Sequence, residues 1–171
     1  MPHLKTEHLT LYIGAYHRGF HPNAHVDWLN DKELMKYSEQ RHQTHTVFTQ
    51  TRYLASFDHV NSFFWEIAPR DMQLPIGSIT AYCDWPNKVA EIGILIAAFQ
   101  QRGYGTEAWQ AVCDWLFRKG MRKIEAGCMA SNMAMRKIFS KTGMNMEGRR
   151  YSHFLLDGKP EDLILVARYA P

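Results

Sequence analysis

The stretch QQRGYGTEA, Gln100 to Ala108, sets two glycines one residue apart between an apolar run, VAEIGILI, and a segment of helical period. In that segment Trp109, Val112, Cys113, Leu116 and Phe117 follow the i, i+3, i+4, i+7, i+8 template of an amphipathic helix, which Gly120 ends. Glycine lacks the Cβ that keeps a ligand away from main-chain N–H groups, and the first turn of a helix leaves its own N–H groups unpartnered. A strand, an open glycine loop and a helix start therefore make a hole of phosphate size, and the rest of the chain must supply the owner of that phosphate.

The surrounding pattern is a meander followed by strand–helix alternation. Leu9, Leu11 and Ile13 alternate with Thr10 and Tyr12 as an opening strand with one buried face. From Phe20 to Phe57 the chain is polar and aromatic. One helix is expected before Asn30-Asp31, another through LMKY, and a third from about Thr46, with Tyr53, Leu54 and Phe57 on one side. The segment SEQRHQTHT, Ser38 to Thr46, hydrogen-bonds well and packs poorly, so it reads as a loop of the kind that faces substrate. Strand-like runs follow at Phe63 to Ala68, Ile76 to Asp84 and Val89 to Ile96, the last two joined by the turn Trp85-Pro86-Asn87. After the long helix, Ile124, Ala126 and Cys128 alternate as a strand. Ser131 or Asn132 caps a helix with Met135, Ile138 and Phe139 on its apolar face, closed by Gly143. Strands at Tyr151 to Leu156 and Leu163 to Tyr169 flank the turn Asp157-Gly158. The 171 residues, 46% of them hydrophobic, suffice for one core, so the expectation is a single domain over residues 1–171. Its class is mixed α/β, or α+β, around one central sheet.

Charge and cysteine usage narrow the ligand. Twenty Lys+Arg against 17 Asp+Glu is too balanced for a protein that grips nucleic acid along many phosphates. Cys83, Cys113 and Cys128 have no metal-type spacing and lie in apolar stretches, which reads as reduced and packed; on its alternating strand Cys128 is core filler before it is an acyl carrier. His42 and His45, at i, i+3 in a loop without nearby Cys or Asp, do not make a zinc site, so no metal is expected. Neither a signal-peptide core nor a membrane-length apolar run is present, and the cytoplasm is the expected compartment. Gly103 to Ala108 also satisfies the dinucleotide fingerprint G-x-G-x-x-G/A, with Glu125 where a ribose-binding acid would stand. That fingerprint needs its first glycine tight against the strand, whereas Ala97 to Arg102 intervene, and the repeated strand–helix–strand units are missing.

Gln100-Gln101-Arg102-Gly103-Tyr104-Gly105 resembles the Q/R-x-x-G-x-G/A pyrophosphate loop of GCN5-related N-acetyltransferases (GNAT), following a strand similar to that family's cofactor strand. NMAMRKIFSKTGM, Asn132 to Met144, is similar to the family's cofactor-binding helix, and MEGRRYSHFLLDGKPEDLILVARY to the ending of the branch that holds ribosomal-protein N-terminal acetyltransferases. The resemblance implies acetyl-CoA as donor and a sheet splayed between the strand ending near Ile96 and the one starting near Lys123. It places main-chain groups of Ile94, Leu95 and Ile96 along the pantetheine arm, and the N–H groups of Gln101, Arg102, Gly103, Tyr104, Gly105 and Thr106 at the pyrophosphate, with Asn132 and Phe139 on the second cofactor helix. Arg136 or Lys137 either approaches the outer phosphate or belongs to a solvated helix face.

Direct transfer to an amine needs a neutral nucleophile, a proton acceptor and stabilisation of the oxyanion. Glu91, sharing a strand face with Gly93 and Leu95, is the chosen base, acting through water with its carboxyl raised by burial; the alternative is an exposed or salt-bridged Glu. The resemblance assigns the oxyanion to the N–H near Ile94. The helix tyrosine that many relatives use as acid is Phe139 here, which cannot donate a proton; Ser140 and Tyr151 are weak substitutes. Glu39, Arg41, His42 and His45 are the expected acceptor-binding residues. The acceptor is a small polar amine such as an aminosugar or its nucleotide-linked form, or a protein N-terminus. A non-catalytic CoA-binding module is the rival reading, and a homodimer remains open.

Overall fold

Strand alternation decides which side chains meet. The protein is described here by a computed structural model that covers residues 3–14, 22–72 and 74–171. After a short β1 (Leu4–Lys5), β2 (Leu9–Ile13), β3 (Ser62–Pro69), β4 (Gly77–Asp84) and β5 (Val89–Ile96) form an antiparallel meander, as the sequence implied. Its register sets Leu11 beside Ile67, Trp65 beside Ile79 and Ile79 beside Ile94. Against this apolar face α3 (Tyr104–Arg118) lays Trp109, Val112, Cys113 and Leu116, all fully buried. Burying side chains of this kind stabilises the fold by roughly 1.5–3 kcal/mol each.

The sheet continues through β6 (Lys123–Met129), α4 (Met133–Lys141), β7 (Asn145–Leu156) and β8 (Lys159–Tyr169), in the strand order β1-β2-β3-β4-β5-β6-β8-β7. β5 and β6 run parallel, and every other neighbouring pair of strands is antiparallel. A parallel pair needs a crossover, and α3 supplies it. Asn132 caps α4 by accepting from the Met135 N–H at 3.1 Å. The opposite face of the meander is covered by α1 (Pro22–Asn30) and α2 (Val47–Ala55), where Leu54 and Phe57 pack on Phe64 in a second small core. Thr46, near which the third helix was expected to begin, caps α2 through a reciprocal pair with Thr49.

Three expectations need correction. LMKY does not continue as a helix: after Met35 N–H bonds Asp31 O, Lys36 and Ser38 reach back only three residues, to Glu33 and Met35, and the chain passes through successive turns. The segment from Ser38 is not wholly loop, because Glu39–His42 form one 3-10 turn capped by the Ser38 side chain. The strand expected from Tyr151 starts at Asn145. Register shifts between Met146 and Gly148 and between Arg150 and Phe154 break the alternation from which a strand is read.

Candidate active site

β5 and β6 pair over three rungs only, Val89–Lys123, Ala90–Ile124 and Glu91–Glu125, and then separate. β6 goes on pairing with β8 as far as Met129, and β5 with β4 as far as Ile96, so the sheet opens as a V between them. In antiparallel pairing successive residues direct their N–H and C=O alternately to either side. Ala97 N–H bonds Ile76 O at 2.8 Å on the β4 side, which turns the main-chain groups of Ile92, Ile94 and Ile96 into the gap. The Ile96 carbonyl takes the Gln100 side chain at 3.0 Å. The free edge of Ile92 and Ile94 faces a cavity of about 1280 Å³ that runs from the glycine loop, between the parted strands, to the face covered by α1 and α2.

At the open end of the V the backbone forms an anion cradle. Phe99, Gln101 and Gly103 have φ of 53°, 66° and 87°, while Gln100 and Arg102 between them stay outside the left-handed region. Alternation of that kind converges successive N–H groups on one point. The first N–H claimed inside α3 is that of Glu107, by Gly103 O at 3.1 Å, so those of Tyr104, Gly105 and Thr106 remain for a ligand. A Cβ on Gly103 would meet nothing within 4 Å, whereas one on Gly105 would come within 3.0 Å of Ile138. Gly103 thus holds the turn, and Gly105 lets α4 close against α3. Arg102 rests over the Phe99 ring at 5.0 Å. Lys137 and Lys141 line the cavity from α4, while Arg136 donates to Ala130 O at 3.3 Å.

Phe139 is buried with its ring edge-on to Trp109, centroids 5.5 Å apart, and lies behind the cavity wall. Cys128 lines the cavity; burial pushes its thiol up to about 11, so it stays protonated at neutral pH and is a poor nucleophile. All three cysteines are free. Among the described residues no group of three or more His, Cys, Asp or Glu is placed to hold a metal ion, and no helix is long and apolar enough to cross a membrane.

At the far end, beyond the sheet, polar groups are set among apolar ones, with Glu33 as the carboxylate. His25 from α1 is 3% exposed, its Nδ1 against the Gln50 amide and its Nε2 donating to Ser78 Oγ at 3.4 Å. Burial, then the neighbouring His45, lowers it to about 4, and at neutral pH it carries no charge. Thr80, Tyr53 and His45 complete this wall. Asn30 clamps the His45 backbone through two 2.9 Å bonds, and the His45 Nε2–H donates to Gln40 O at 3.2 Å. Of the four acceptor-binding residues expected from sequence, only His45 lines the cavity. Arg41 instead ties its own turn to the β7–β8 hairpin, donating to Ser38 O at 2.9 Å, Glu39 at 2.7 Å and Leu155 O at 3.1 Å. His42 is exposed, 3.9 Å from Glu39. His25, Gln50, Tyr53, Thr80 and Trp109 also line the cavity and were not expected there from sequence. Their only sequence signal was polarity within an otherwise packing segment, or, for Trp109, none beyond helical period.

Glu91 stands on the last shared rung, on the same sheet face as Gly93 and beside Tyr82 of β4. The burial expected for it is absent: the side chain is exposed and lines a smaller cleft with Asp84, Arg122 and Glu125. Gly93, two residues further along the same face, has no side chain and lines the main cavity. Glu125 is paired with Lys123 at 3.2 Å and lies at the closed end of the V, far along the sheet from the glycine loop, so it does not act as a ribose acid there.

A glycine loop with free N–H groups and a gap edged by unpaired peptide groups are features that a nucleotide thioester with an amide-rich arm would fit. The family comparison gives the same class: the acetyltransferase (GNAT) domain matches residues 18–145, more than half of the chain, and the chain belongs to that family. It is an N-acetyltransferase that uses acetyl-CoA as donor. Among solved structures it is similar to the ribosomal L7/L12 alpha-N-protein acetyltransferase RimL in complex with coenzyme A (18% identity, 98% of each chain, TM-score 0.84). It is also similar to a GNAT-family acetyltransferase from Bacillus anthracis (20%, 99% of each, 0.78). A third is spermidine N-acetyltransferase from Vibrio cholerae in complex with CoA and spermine (18%, 96% of this chain and 97% of that one, 0.81). At these identities the likeness is one of fold. No curated protein matches the chain.

Proposed function

We propose that the chain acetylates the primary amine of a small polar acceptor, an aminosugar or its nucleotide-linked form, by direct attack in a ternary complex. The observation that carries this reading is the character of the acceptor end. Among the described residues Glu33 is the only carboxylate that lines the cavity, and beyond the sheet the hydrogen-bonding groups His25, Gln50, Ser78, Thr80 and Tyr53 line it beside apolar Leu29, Met35 and Phe64. A polyamine carries several positive charges and needs more countercharge than one carboxylate. A hydroxylated amine needs what this wall offers, donors and acceptors at fixed positions.

In this reading the N–H of Ile94 meets the oxygen on which charge develops, and the loop N–H groups of Gln101 to Thr106 hold the diphosphate, with Lys137 or Lys141 beside its outer phosphate. Glu91 receives the amine proton through water that crosses Gly93. A fixed N–H aimed at a developing oxyanion is worth roughly 3–4 kcal/mol in barrier lowering.

The test is CoA-thiol release from acetyl-CoA across a panel of aminosugars, nucleotide-linked aminosugars, polyamines and peptides with free N-termini. Turnover of the sugar amines at least about tenfold above the polyamines and peptides supports the reading. Turnover confined to peptides replaces it with protein N-terminal acetylation, and background rates throughout with retained acetyl-CoA binding replace it with a binding module.

A further inference from the structure

Trp109 is fully buried, lines the cavity, and has no hydrogen-bond partner for its Nε1. Phe139 lies edge-on to its ring, centroids 5.5 Å apart, and Ile92 and Cys128 line the same cavity. A buried indole N–H ordinarily finds an acceptor, and leaving it without one costs roughly 1–3 kcal/mol. Phenylalanine would fill the site without that cost, so the nitrogen calls for an acceptor that the protein itself does not provide. Of the buried side-chain polar atoms, the only other one without a partner among the described residues is His59 Nδ1, which lines neither cleft.

The position along the gap says what that acceptor is. Ile92 is the first residue of β5 beyond the Glu91–Glu125 rung, at the narrow end of the V. The anion cradle lies at the other end, after Ile96, and the four residues between span about 13 Å of extended strand. A Cβ on Gly105 would lie 3.4 Å from Ile96, and Trp109 stands about one turn further along α3 as it returns from the cradle, so a ligand that starts with a diphosphate there and follows the free edge of β5 brings its arm, with its amide and thioester carbonyls, past the indole. We propose that the indole N–H of Trp109 is a co-substrate-binding donor that bonds a carbonyl oxygen of the acyl-pantetheine arm. It acts from the face of the gap opposite the acceptor, while the peptide groups of Ile92 and Ile94 act from the edge. The strand edge fixes the arm lengthwise, and the indole fixes its rotation.

This inference rests on the arm lying in the gap, and the experiment separates the two. In ¹⁵N-labelled protein the Trp109 indole resonance and the Ile94 amide are followed through titration with CoA and with adenosine 3′,5′-bisphosphate, which carries no arm. The expected result is that CoA moves both signals and slows exchange of the indole proton, while the bisphosphate moves neither. If CoA moves Ile94 and leaves the Trp109 indole where it was, the arm is in the gap and the proposal is wrong. If both stay still at saturation, the placement of the arm fails first. Trp109→Phe supplies a second readout: affinity for CoA falls about tenfold, the loss of one hydrogen bond, and affinity for the bisphosphate is unchanged. Equal affinity for CoA in a folded Trp109→Phe variant overturns the proposal, and the wild-type titration decides the matter if that variant does not fold.

Discussion

Glu91 and Glu125 face each other across the last rung that joins β5 to β6. Beyond them the two strands no longer pair, and the space they leave is the candidate site. Two carboxylates side by side repel; Lys123 answers Glu125 at 3.2 Å and also reaches Glu147 at 2.7 Å, leaving Glu91 exposed at the mouth of the smaller cleft. The closed end of the V is thus charged and wet on one face, while the gap above it is edged by isoleucines.

Gly77→Ala tests how tightly β4 holds the site-bearing strand. A Cβ at Gly77 would lie 2.1 Å from the Leu95 carbonyl oxygen, an overlap with backbone that no rotamer relieves. Stability in urea should fall by about 1–3 kcal/mol, and acetyl-CoA binding with it. Gly93→Ala is the comparison: its Cβ meets only Thr80 Oγ1 at 3.6 Å, so it should fold within about 0.5 kcal/mol of wild type while obstructing the route from Glu91.

Gly103→Ala separates backbone strain from loss of ligand. With φ at 87° the substitution costs about 1–2 kcal/mol, yet nothing in the protein stands within 4 Å of the new methyl. Gly120→Ala, with φ at 99° and equally open surroundings, should cost the same. Calorimetry with acetyl-CoA should then show weakened binding for Gly103→Ala alone; equal binding by the two variants would detach the glycine loop from the diphosphate.

Glu91→Gln should lower kcat by about 10²-fold near neutral pH and leave KM for acetyl-CoA within about twofold, because a positioned base contributes to the transition state and not to donor binding. The pH–rate profile of the variant should lose its acidic limb. A profile identical to that of wild type removes Glu91 from the proton path.

His25 gives the fold a defined pH window. Its folded value, about 4, lies below the ordinary 6.5, so between these two the unfolded chain takes up a proton that the folded chain refuses. The stabilising contribution is complete above pH 6.5 and is lost as pH falls toward 4. Urea unfolding at pH 7 and pH 5 should show wild type losing about 1–2 kcal/mol from this residue, and His25→Gln, though less stable at pH 7, should show a shallower decline. Parallel declines would mean that His25 is not kept neutral by the fold.

Local pattern carried most of the architecture. VAEIGILI, the spaced glycines and the Trp109–Phe117 stripe located β5, the cradle and α3, because each depends on neighbours within one turn or one strand. The acceptor end resisted because it is assembled from α1, α2 and β4: that His25 meets Gln50 and Ser78 is a consequence of tertiary packing, which no period records. Arg41 was a reasonable choice by chemistry, yet its guanidinium is used up on Ser38, Glu39 and Leu155. Glu91 was placed on the correct strand face, but its exposure depends on the separation of β6 just beyond it, a relation between segments more than thirty residues apart.

Main-chain N–H groups left free at one strand edge and one helix start are the proposed hold on acetyl-CoA. Amide hydrogen exchange, residue by residue, with and without acetyl-CoA tests this most directly. Ile94, Tyr104, Gly105 and Thr106 should exchange freely in the protein alone and slow at least about tenfold in the complex, while amides of β2 and β3 keep their rates. If those four amides are already protected without ligand, or exchange at the same rate with it, the gap is not where acetyl-CoA binds.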